Sequence, residues 1–292
     1  MQSYPTISEY LRKTFNKIIV KLPVNGGFTC PNRINGNTGC LFCSEKASGE
    51  FTFSDLSIKE QLIRQMARYK SINKSNENTG YIAYFQNFSN TYASSDILSK
   101  KYDEALSVEQ IEGIAIATRP DCIDYKISEL LEYYNKKTNL WIELGFQTAN
   151  EKTSILINRG YSNKVLTECV EQLNKRSIKI VIHVIFGLPY EEYDDYIETI
   201  KFVKSLNVWG IKLHSLYIQK DTALHKYYEN NPFHIITFNE YTDAVCEAIK
   251  ILENKIVIHR LTGDCVKSEL YEPKWSLDKL KVISTINRKL SI

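Results

Sequence analysis

The sequence contains no run of about 18 apolar residues, the length that a membrane-spanning helix requires. Its start, Met1–Pro5, has no basic segment followed by an apolar one, so we expect no secretory signal. Internal repeats, low-complexity tracts and long linkers are also missing. These absences favour a globular protein that has no membrane partner and works in the cytoplasm.

The sequence also has no large excess of one charge. It contains 37 basic and 34 acidic residues, which gives a net charge of +3. This balance neither favours nor excludes nucleic acid as a partner, since binding depends on where the charges lie. Tyrosine is common, with 19 residues, and we attribute it to core packing. A hydrophobic share of 43% is enough for a sizeable core.

Histidine is scarce, with five residues. Cysteine occurs seven times, an odd number, and three of the cysteines share one loop: Cys30, Cys40 and Cys43. The two-residue gap between Cys40 and Cys43 lets both thiolates face one metal centre. No nearby cysteine or histidine supplies a fourth ligand, and the next is Cys122. A structural zinc site needs four protein ligands, whereas a [4Fe–4S] cluster on three cysteines keeps one iron open. The loop therefore favours a working cluster, with zinc as the alternative.

The rest of the chain alternates short β-branched runs with amphipathic segments, which is typical of parallel βαβ units. Predicted strands cover 17–22, 81–86, 111–118, 140–146, 178–186 and 210–218. Predicted helices cover 7–16, 57–70, 95–106, 126–137, 163–176 and 191–206. Ser8 is the expected N-cap of the first helix, and Pro23 with Gly26-Gly27 is expected to end the first strand.

Six such units predict an α/β fold, a partial (β/α)6 TIM-like barrel over residues 1–218. Residues 219–292 break the rhythm and are predicted to form a C-terminal α/β extension packed on the barrel. It has a helix at 239–253, a strand at 256–259 and a last helix near 277–290.

Polar motifs follow the predicted strands, and the carboxyl ends of parallel strands meet at one rim of such a barrel. The cysteine loop follows the first strand, and His214 lies nearer the middle of the sixth than its end. The other motifs end strands two to five, namely 85–92, 118–121, 143–148 and 187–189. The sequence therefore predicts one reactive site at this rim.

The C-x9-C-x2-C spacing, with Phe42 before the last cysteine, resembles the cluster loop of radical S-adenosylmethionine (SAM) enzymes. The nine-residue gap resembles the branch that contains the catalytic subunit of Elongator and its short bacterial relatives. Further stretches fit those relatives and cover most of the chain: Gly27-Phe28-Thr29-Cys30-Pro31-Asn32-Arg33, Thr118-Arg119-Pro120-Asp121, Glu143-Leu144-Gly145, Asn158-Arg159-Gly160, Gly187-Leu188-Pro189 and His259-Arg260-Leu261-Thr262-Gly263-Asp264.

The resemblance implies that Cys30, Cys40 and Cys43 bind three irons of a [4Fe–4S] cluster and that SAM binds the fourth. One electron then splits the S–C5′ bond, and the released 5′-deoxyadenosyl radical abstracts a hydrogen atom from the substrate. An electron donor of the flavodoxin or ferredoxin type is implied as a partner.

The resemblance also assigns cofactor contacts. Gln86, Asn87 and Ser89 occupy the place where relatives contact the methionine amino group of SAM, although Asn and Ser replace the usual Gly-Gly-Glu. Arg119 is the candidate for the SAM carboxylate because a guanidinium fork suits it. The alternative is a structural ion pair between Arg119 and Asp121.

Further candidates lie on strands four and five. Glu143 and Gln147 have the same strand parity and are predicted to contact the ribose hydroxyls, with a core polar network as the alternative. Gly187 is predicted to let the backbone approach the adenine, with a simple turn as the alternative.

Lys212 and His214 share one face of the sixth strand and are the catalytic candidates toward the substrate. His183, on an apolar strand, is expected to be a core residue. Cys265 is a minor candidate for a fourth ligand or a reactive thiol. The remaining cysteines are expected to be buried and inert: Cys122, Cys169 and Cys246.

We therefore predict a radical SAM enzyme, and the resemblance implies a wobble uridine in tRNA as substrate. Conversion of a carboxymethylaminomethyl group to aminomethyl fits the short bacterial members. The chain is too short to hold the acetyltransferase domain of Elongator. Basic residues that could meet phosphate are Arg33, Arg159, Lys164, Lys267, Lys274 and Lys281.

Two alternatives stay open. One is a radical SAM enzyme that acts on a small metabolite or peptide. The other is a non-catalytic iron–sulfur protein, either an electron carrier or a sensor, which would need a fourth protein ligand.

Overall fold

The computed structural model describes residues 4–34, 36, 39–45, 52–53, 55–72, 78–263 and 265–291. Within the predicted motifs, Asn35, Asn37, Thr38 and Asp264 lie outside the described residues.

The elements alternate along most of the chain. The strands are β1 (Ile18–Val24), β2 (Thr79–Phe85), β3 (Ile111–Thr118), β4 (Asn139–Gln147), β5 (Lys179–Phe186), β6 (Gly210–Ser215), β7 (Ile218–Gln219), β8 (Val257–Arg260) and β9 (Leu270–Glu272). The helices are α1 (Ile7–Phe15), α2 (Ile58–Ile72), α3 (Ser95–Leu106), α4 (Tyr125–Lys137), α5 (Glu151–Leu156), α6 (Asn163–Asn174), α7 (Tyr193–Ser205), α8 (Ala223–Asn230), α9 (Phe238–Leu252) and α10 (Lys279–Leu290). Short 3₁₀ helices cover Pro31–Arg33, Pro120–Cys122 and Lys274–Leu277.

Seven parallel strands form one curled half-barrel in the order β1-β2-β3-β4-β5-β6-β8. The predicted α/β fold, a partial TIM-like barrel, is confirmed. The six predicted strands are all present, and the seventh, β8, comes from the C-terminal extension and pairs with β6. The sheet therefore crosses the predicted boundary at residue 218.

Two local predictions were wrong. Pro23 does not end β1, which continues to Val24 with Pro23 in register with Tyr84. β1 lies at the edge of the sheet, where a residue without an N–H is tolerated. Thr6, not Ser8, caps α1, because the Thr6 side chain accepts a hydrogen bond from the Glu9 N–H.

Two apolar layers cover the two faces of the sheet. The larger one lies between the strands and the outer helices α2–α4, α6, α7 and α9. The smaller one fills one end of the concave side, where Ile7 and Leu11 of α1 pack against Ile82, Trp141 and Val181. The interior of the half-barrel is thus apolar at this end, and the opposite end is free for a polar site.

In the part of the chain that the structure describes, we find no helix with the length and apolar character needed to span a membrane.

Candidate functional site

A cavity of about 490 Å³ opens at the carboxyl ends of the strands. Cys30, Cys40 and Cys43 line it, and Glu143 and Lys212 line its deeper part. The motifs converge on one rim, as predicted, because the strands are parallel and their carboxyl ends lie side by side. Residues far apart in sequence therefore line the same cavity.

The cysteine loop is held by its own backbone and by a guanidinium. The Cys43 N–H donates to the Cys40 carbonyl at 2.9 Å, and the Arg33 N–H donates to the Cys30 carbonyl at 2.8 Å. The Arg33 guanidinium donates to the Cys43 carbonyl at 3.2 Å and also to the Ser44 carbonyl. These bonds give the loop a defined shape around its thiols.

The segment after α5 fixes the same loop from outside. Asn158 Nδ2 donates to the Gly39 carbonyl at 2.9 Å, and the Leu41 N–H donates to the Ile157 carbonyl at 2.9 Å. Asn32 Nδ2 bridges the two segments, with the Asn158 carbonyl at 2.5 Å and Cys40 Sγ at 3.5 Å. The Asn-Arg-Gly motif at 158–160 therefore holds the cysteine loop in place, a role that the sequence did not reveal.

The residues present fit a cluster held by three thiolates. Burial, together with the neighbouring Cys43, raises the pKa of Cys40 to about 11, so its thiolate form requires a cation such as iron beside it. Among the described residues, no three metal-binding side chains lie close enough to hold an ion as they stand. A cluster would instead use one cysteine for each of three irons, so the three thiols need not share a single ion.

The other cysteines lie elsewhere. Cys122, Cys169 and Cys246 are buried, and burial raises the pKa of Cys122 and of Cys169 to about 12. Cys265 does not line the cavity, and its thiol donates to the Val266 carbonyl at 3.5 Å.

The loop after β2 is only partly placed as predicted. Gln86 and Ser89 line the cavity, whereas Asn87 is buried and donates to Thr52 Oγ1 at 3.0 Å. Asn90, in the same loop, orders it by donating to the Phe85 and Ala117 carbonyls at 3.1 and 2.8 Å.

Arg119 lines the cavity, but its guanidinium forms the alternative ion pair. Nε and Nη2 donate to the two carboxylate oxygens of Asp121 at 2.9 and 2.7 Å. Nη1 donates to the Arg159 carbonyl at 2.8 Å. Burial opposes the charge, yet Asp121 raises the pKa of Arg119 overall, so the cation is fixed. Its contact with the SAM carboxylate stays a prediction.

The prediction that Arg159 could meet phosphate was wrong. Its side chain is 1% exposed, and it donates to the carbonyls of Thr148, Tyr161 and Phe146 at 2.8–3.2 Å. The residue orders loops beneath the surface.

Glu143 is the centre of the deeper part of the cavity. Trp141 Nε1 donates to Oε1 at 2.9 Å, and Tyr84 Oη donates to Oε2 at 2.7 Å. Lys212 Nζ also donates to Oε2, and His183 Nε2 lies 2.9 Å from it. Burial raises the pKa of Glu143, but the charges of Lys212 and Lys21 and the hydrogen bond with His183 together outweigh burial and hold that pKa well below its usual value.

The core polar network that was the alternative for Glu143 is therefore present. These partners compete with the predicted ribose contact, which stays a prediction. Gln147 lines the same cavity, with a φ of 71° at the irregular end of β4.

The two histidines of this layer line the cavity with Lys212, so Lys212 and His214 do lie together. Burial and the Lys212 charge lower the pKa of His183 to about 4. Burial also lowers the pKa of His214 well below its usual value, and the pKa of Lys212 likewise. Both imidazoles are neutral at pH 7.

Gly187 does not line this cavity, and its predicted approach to the adenine of SAM stays a prediction. It has a φ of 88°, and a Cβ there would lie 2.6 Å from Ile236 Cγ2. Glycine is required because the segment before α9 packs directly on it. Gly187 lines a separate small apolar gap.

Sequence reasoning missed Lys21 and Tyr84, which line the cavity together with Arg260 of the motif at 259–264. One signal was available, because Lys21 interrupts the apolar run of β1 as Lys212 interrupts that of β6.

A parallel half-barrel whose rim carries three cysteines in this spacing defines a radical SAM enzyme. The profile described as Radical SAM superfamily matches residues 26–203, and the Radical_SAM C-terminal domain matches residues 208–291. The chain belongs to the Radical SAM superfamily, and a [4Fe–4S] cluster and SAM are its cofactors.

The chain is similar over its length to bacterial relatives. It is 37% identical to uncharacterized protein YtqA of Bacillus subtilis over 290 residues, 98% of this chain and 89% of the relative. It is 32% identical to protein YhcC of Escherichia coli, covering 96% and 90%. Elongator complex protein 3 of Schizosaccharomyces pombe is 26% identical over 185 residues, 59% of this chain and 32% of that protein.

Solved structures share the fold. Archaeal Elp3 of Methanocaldococcus infernus superposes with a TM-score of 0.70 at 12% identity, covering 93% of this chain and 63% of that one. SuiB of Streptococcus suis, bound to S-adenosylmethionine, gives 0.55 at 12% identity, covering 88% and 54%. The chain spans less than two thirds of either solved chain.

Proposed function

We propose that this radical SAM enzyme acts on the C5 side chain of a wobble uridine in tRNA and converts carboxymethylaminomethyl to aminomethyl. The resemblance to Elongator complex protein 3 supports the substrate class. The observation that carries the proposal is that this cavity has the three cysteines at its mouth and a charged floor around Glu143. A short charged side chain that projects from a large molecule fits this shape.

When bound, the cluster and SAM supply a 5′-deoxyadenosyl radical, and overall one SAM takes up two electrons to form methionine and 5′-deoxyadenosine. The substrate loses a hydrogen atom from the methylene between its nitrogen and its carboxylate, and then gives up one more electron, which replaces the electron that the donor supplied. Water adds to the resulting carbon–nitrogen double bond, and the C–N bond breaks to release glyoxylate and the aminomethyl group. The substrate gives up two electrons, so the balance closes without another oxidant.

The chain's own residues orient the substrate and exclude water from the radical. The proposal includes an electron donor of the flavodoxin or ferredoxin type, which supplies the first electron. It places the reaction in the cytoplasm, where thiols stay reduced and can hold iron.

The test is an anaerobic assay of the reconstituted protein with SAM, dithionite and tRNA that carries carboxymethylaminomethyluridine. We expect 5′-deoxyadenosine, glyoxylate and aminomethyluridine in equal amounts. Cys43→Ala should form none of them, whereas the matched control Cys265→Ala should keep both the cluster and the activity. Formation of 5′-deoxyadenosine with unchanged tRNA would reject this substrate and favour a small metabolite or peptide.

A further inference from the structure

The floor of the cavity has more positive than negative side chains. Lys21 Nζ lies 4.0 Å from Glu143 Oε1, and Lys212 Nζ donates to Oε2. Among the described residues that line the cavity, Glu143 is the one carboxylate. Two ammonium groups therefore share a single negative partner there.

The two lysines differ in exposure. The Lys212 side chain is 2% exposed and serves the buried Glu143, whereas the Lys21 side chain is 22% exposed and faces the cavity. Burial lowers the pKa of Lys21, and the charge of Arg260 lowers it further, although Glu143 opposes both. A group of cations with too little negative charge is costly to bury, and an incoming anion relieves that cost.

A second feature points the same way. His214 Nε2 is buried on the cavity wall and has no hydrogen-bond partner among the described residues. His214 and His183 are in ring contact, with centroids 5.5 Å apart, and His183 bonds to Glu143. A neutral imidazole in this place can donate to an anion that enters beside Glu143.

We infer that Lys21 and Lys212, with His214, form a subsite for an anionic group of the substrate. The inference rests on the proposed function for the identity of that group, which is the carboxylate of the carboxymethylaminomethyl side chain. The carboxylate is bonded to the methylene that loses its hydrogen atom. Anchoring it at the floor therefore holds this methylene one bond nearer to the mouth, where the cysteines lie.

Calorimetry tests the subsite without turnover. The reconstituted protein is titrated with the nucleoside 5-carboxymethylaminomethyluridine and with its methyl ester, which lacks the negative charge. We expect the acid to bind about 10- to 100-fold more tightly than the ester, the range for charged hydrogen bonds.

Variants then assign the effect. Lys21→Met should bring the affinities for acid and ester close together, while Lys21→Arg should restore most of the difference. Lys126→Met removes an exposed lysine of α4 and should leave the ratio unchanged. Equal affinity of acid and ester in the wild type, or an unchanged ratio in Lys21→Met, would overturn the inference.

The subsite and the proposed function can fail separately. If the acid binds through Lys21 but the tRNA is not converted, the anionic subsite holds and the proposed substrate is wrong. If Lys21→Met converts the tRNA with unchanged KM, the proposed function holds and the subsite is wrong.

Discussion

The carboxylate of Glu143 and the ammonium of Lys212 form an ion pair whose side chains are 0% and 2% exposed. They extend from β4 and β6, which are separated in the sheet by β5. Two side chains on alternate strands can meet in this way because the sheet is curled and both point to its concave side. The pair is thus both a part of the cavity floor and a tie across the half-barrel.

Removal of one partner should destabilise the protein strongly. Lys212→Met leaves a buried carboxylate without its main cation, and we expect a loss of about 3–5 kcal/mol in the free energy of unfolding. Urea unfolding of the apoprotein measures this loss. The double variant Lys212→Met/Glu143→Leu removes both charges and should recover much of the stability. Equal stability of the single and double variants would contradict the assignment.

Asn158 should control how well the cluster is retained. Asn158→Gly keeps the positive φ of 53° but removes the hydrogen bond to the Gly39 carbonyl. A hydrogen bond of this kind contributes about 1 kcal/mol, so we expect roughly fivefold faster loss of iron to a chelator, followed by absorbance. Asn207→Gly, at the same φ in the turn before β6, is the matched control. The same rate in both variants would show that Asn158 does not hold the loop.

Gly187 should tolerate alanine worse than a glycine with free space around it. In Gly187→Ala the new methyl group meets Ile236, and the φ of 88° adds strain, so we expect a loss of about 3 kcal/mol. Gly27→Ala has a similar φ of 74° but nothing within 4 Å, so strain alone should cost about 1 kcal/mol. Thermal or urea unfolding separates the two, and equal losses would refute the close contact.

Glu191 should make stability depend on pH. Burial raises its pKa to about 7 from 4.5, and the hydrogen bond from Thr148 opposes this only in part. Between these values the folded protein keeps a proton that the unfolded chain releases, so stability decreases as pH rises through this window.

Glu191→Gln can keep the bond to Thr148 and has no proton to lose. The variant should therefore be close to wild type near pH 4.5 and more stable by on the order of 3 kcal/mol at pH 8. Urea unfolding at several pH values measures the gap. A gap that does not widen with pH would contradict the raised pKa.

Much of the architecture could be predicted because the strands and helices alternate with clear periods. β3 was predicted to the residue, and the cysteine loop was placed at the rim by chain order alone. The short elements β7, β9 and α8 were missed because two to eight residues carry too little periodicity.

The concave side of the sheet was harder to predict. Strands of a parallel sheet are buried on both faces, so an apolar run does not tell which residues point inward. For this reason Lys21 and Tyr84 were missed, although they share the floor with Glu143. The partner of Arg119 is set by the geometry of its loop. Sequence spacing alone could not decide whether that partner is Asp121 or a cofactor.

The segment just before α1 contacts residues near the C-terminal end of the sequence. The Pro5 carbonyl accepts from the Ile258 N–H at 2.9 Å, and Tyr4 Oη donates to Asn287, 283 positions away. These contacts link α1 to β8 and α10, and none can form before the last strand and helix have been synthesised. During translation the apolar face of α1 can pack on the earlier strands, but the Tyr4 and Pro5 contacts must wait for almost the whole chain, so this segment is fixed late in folding.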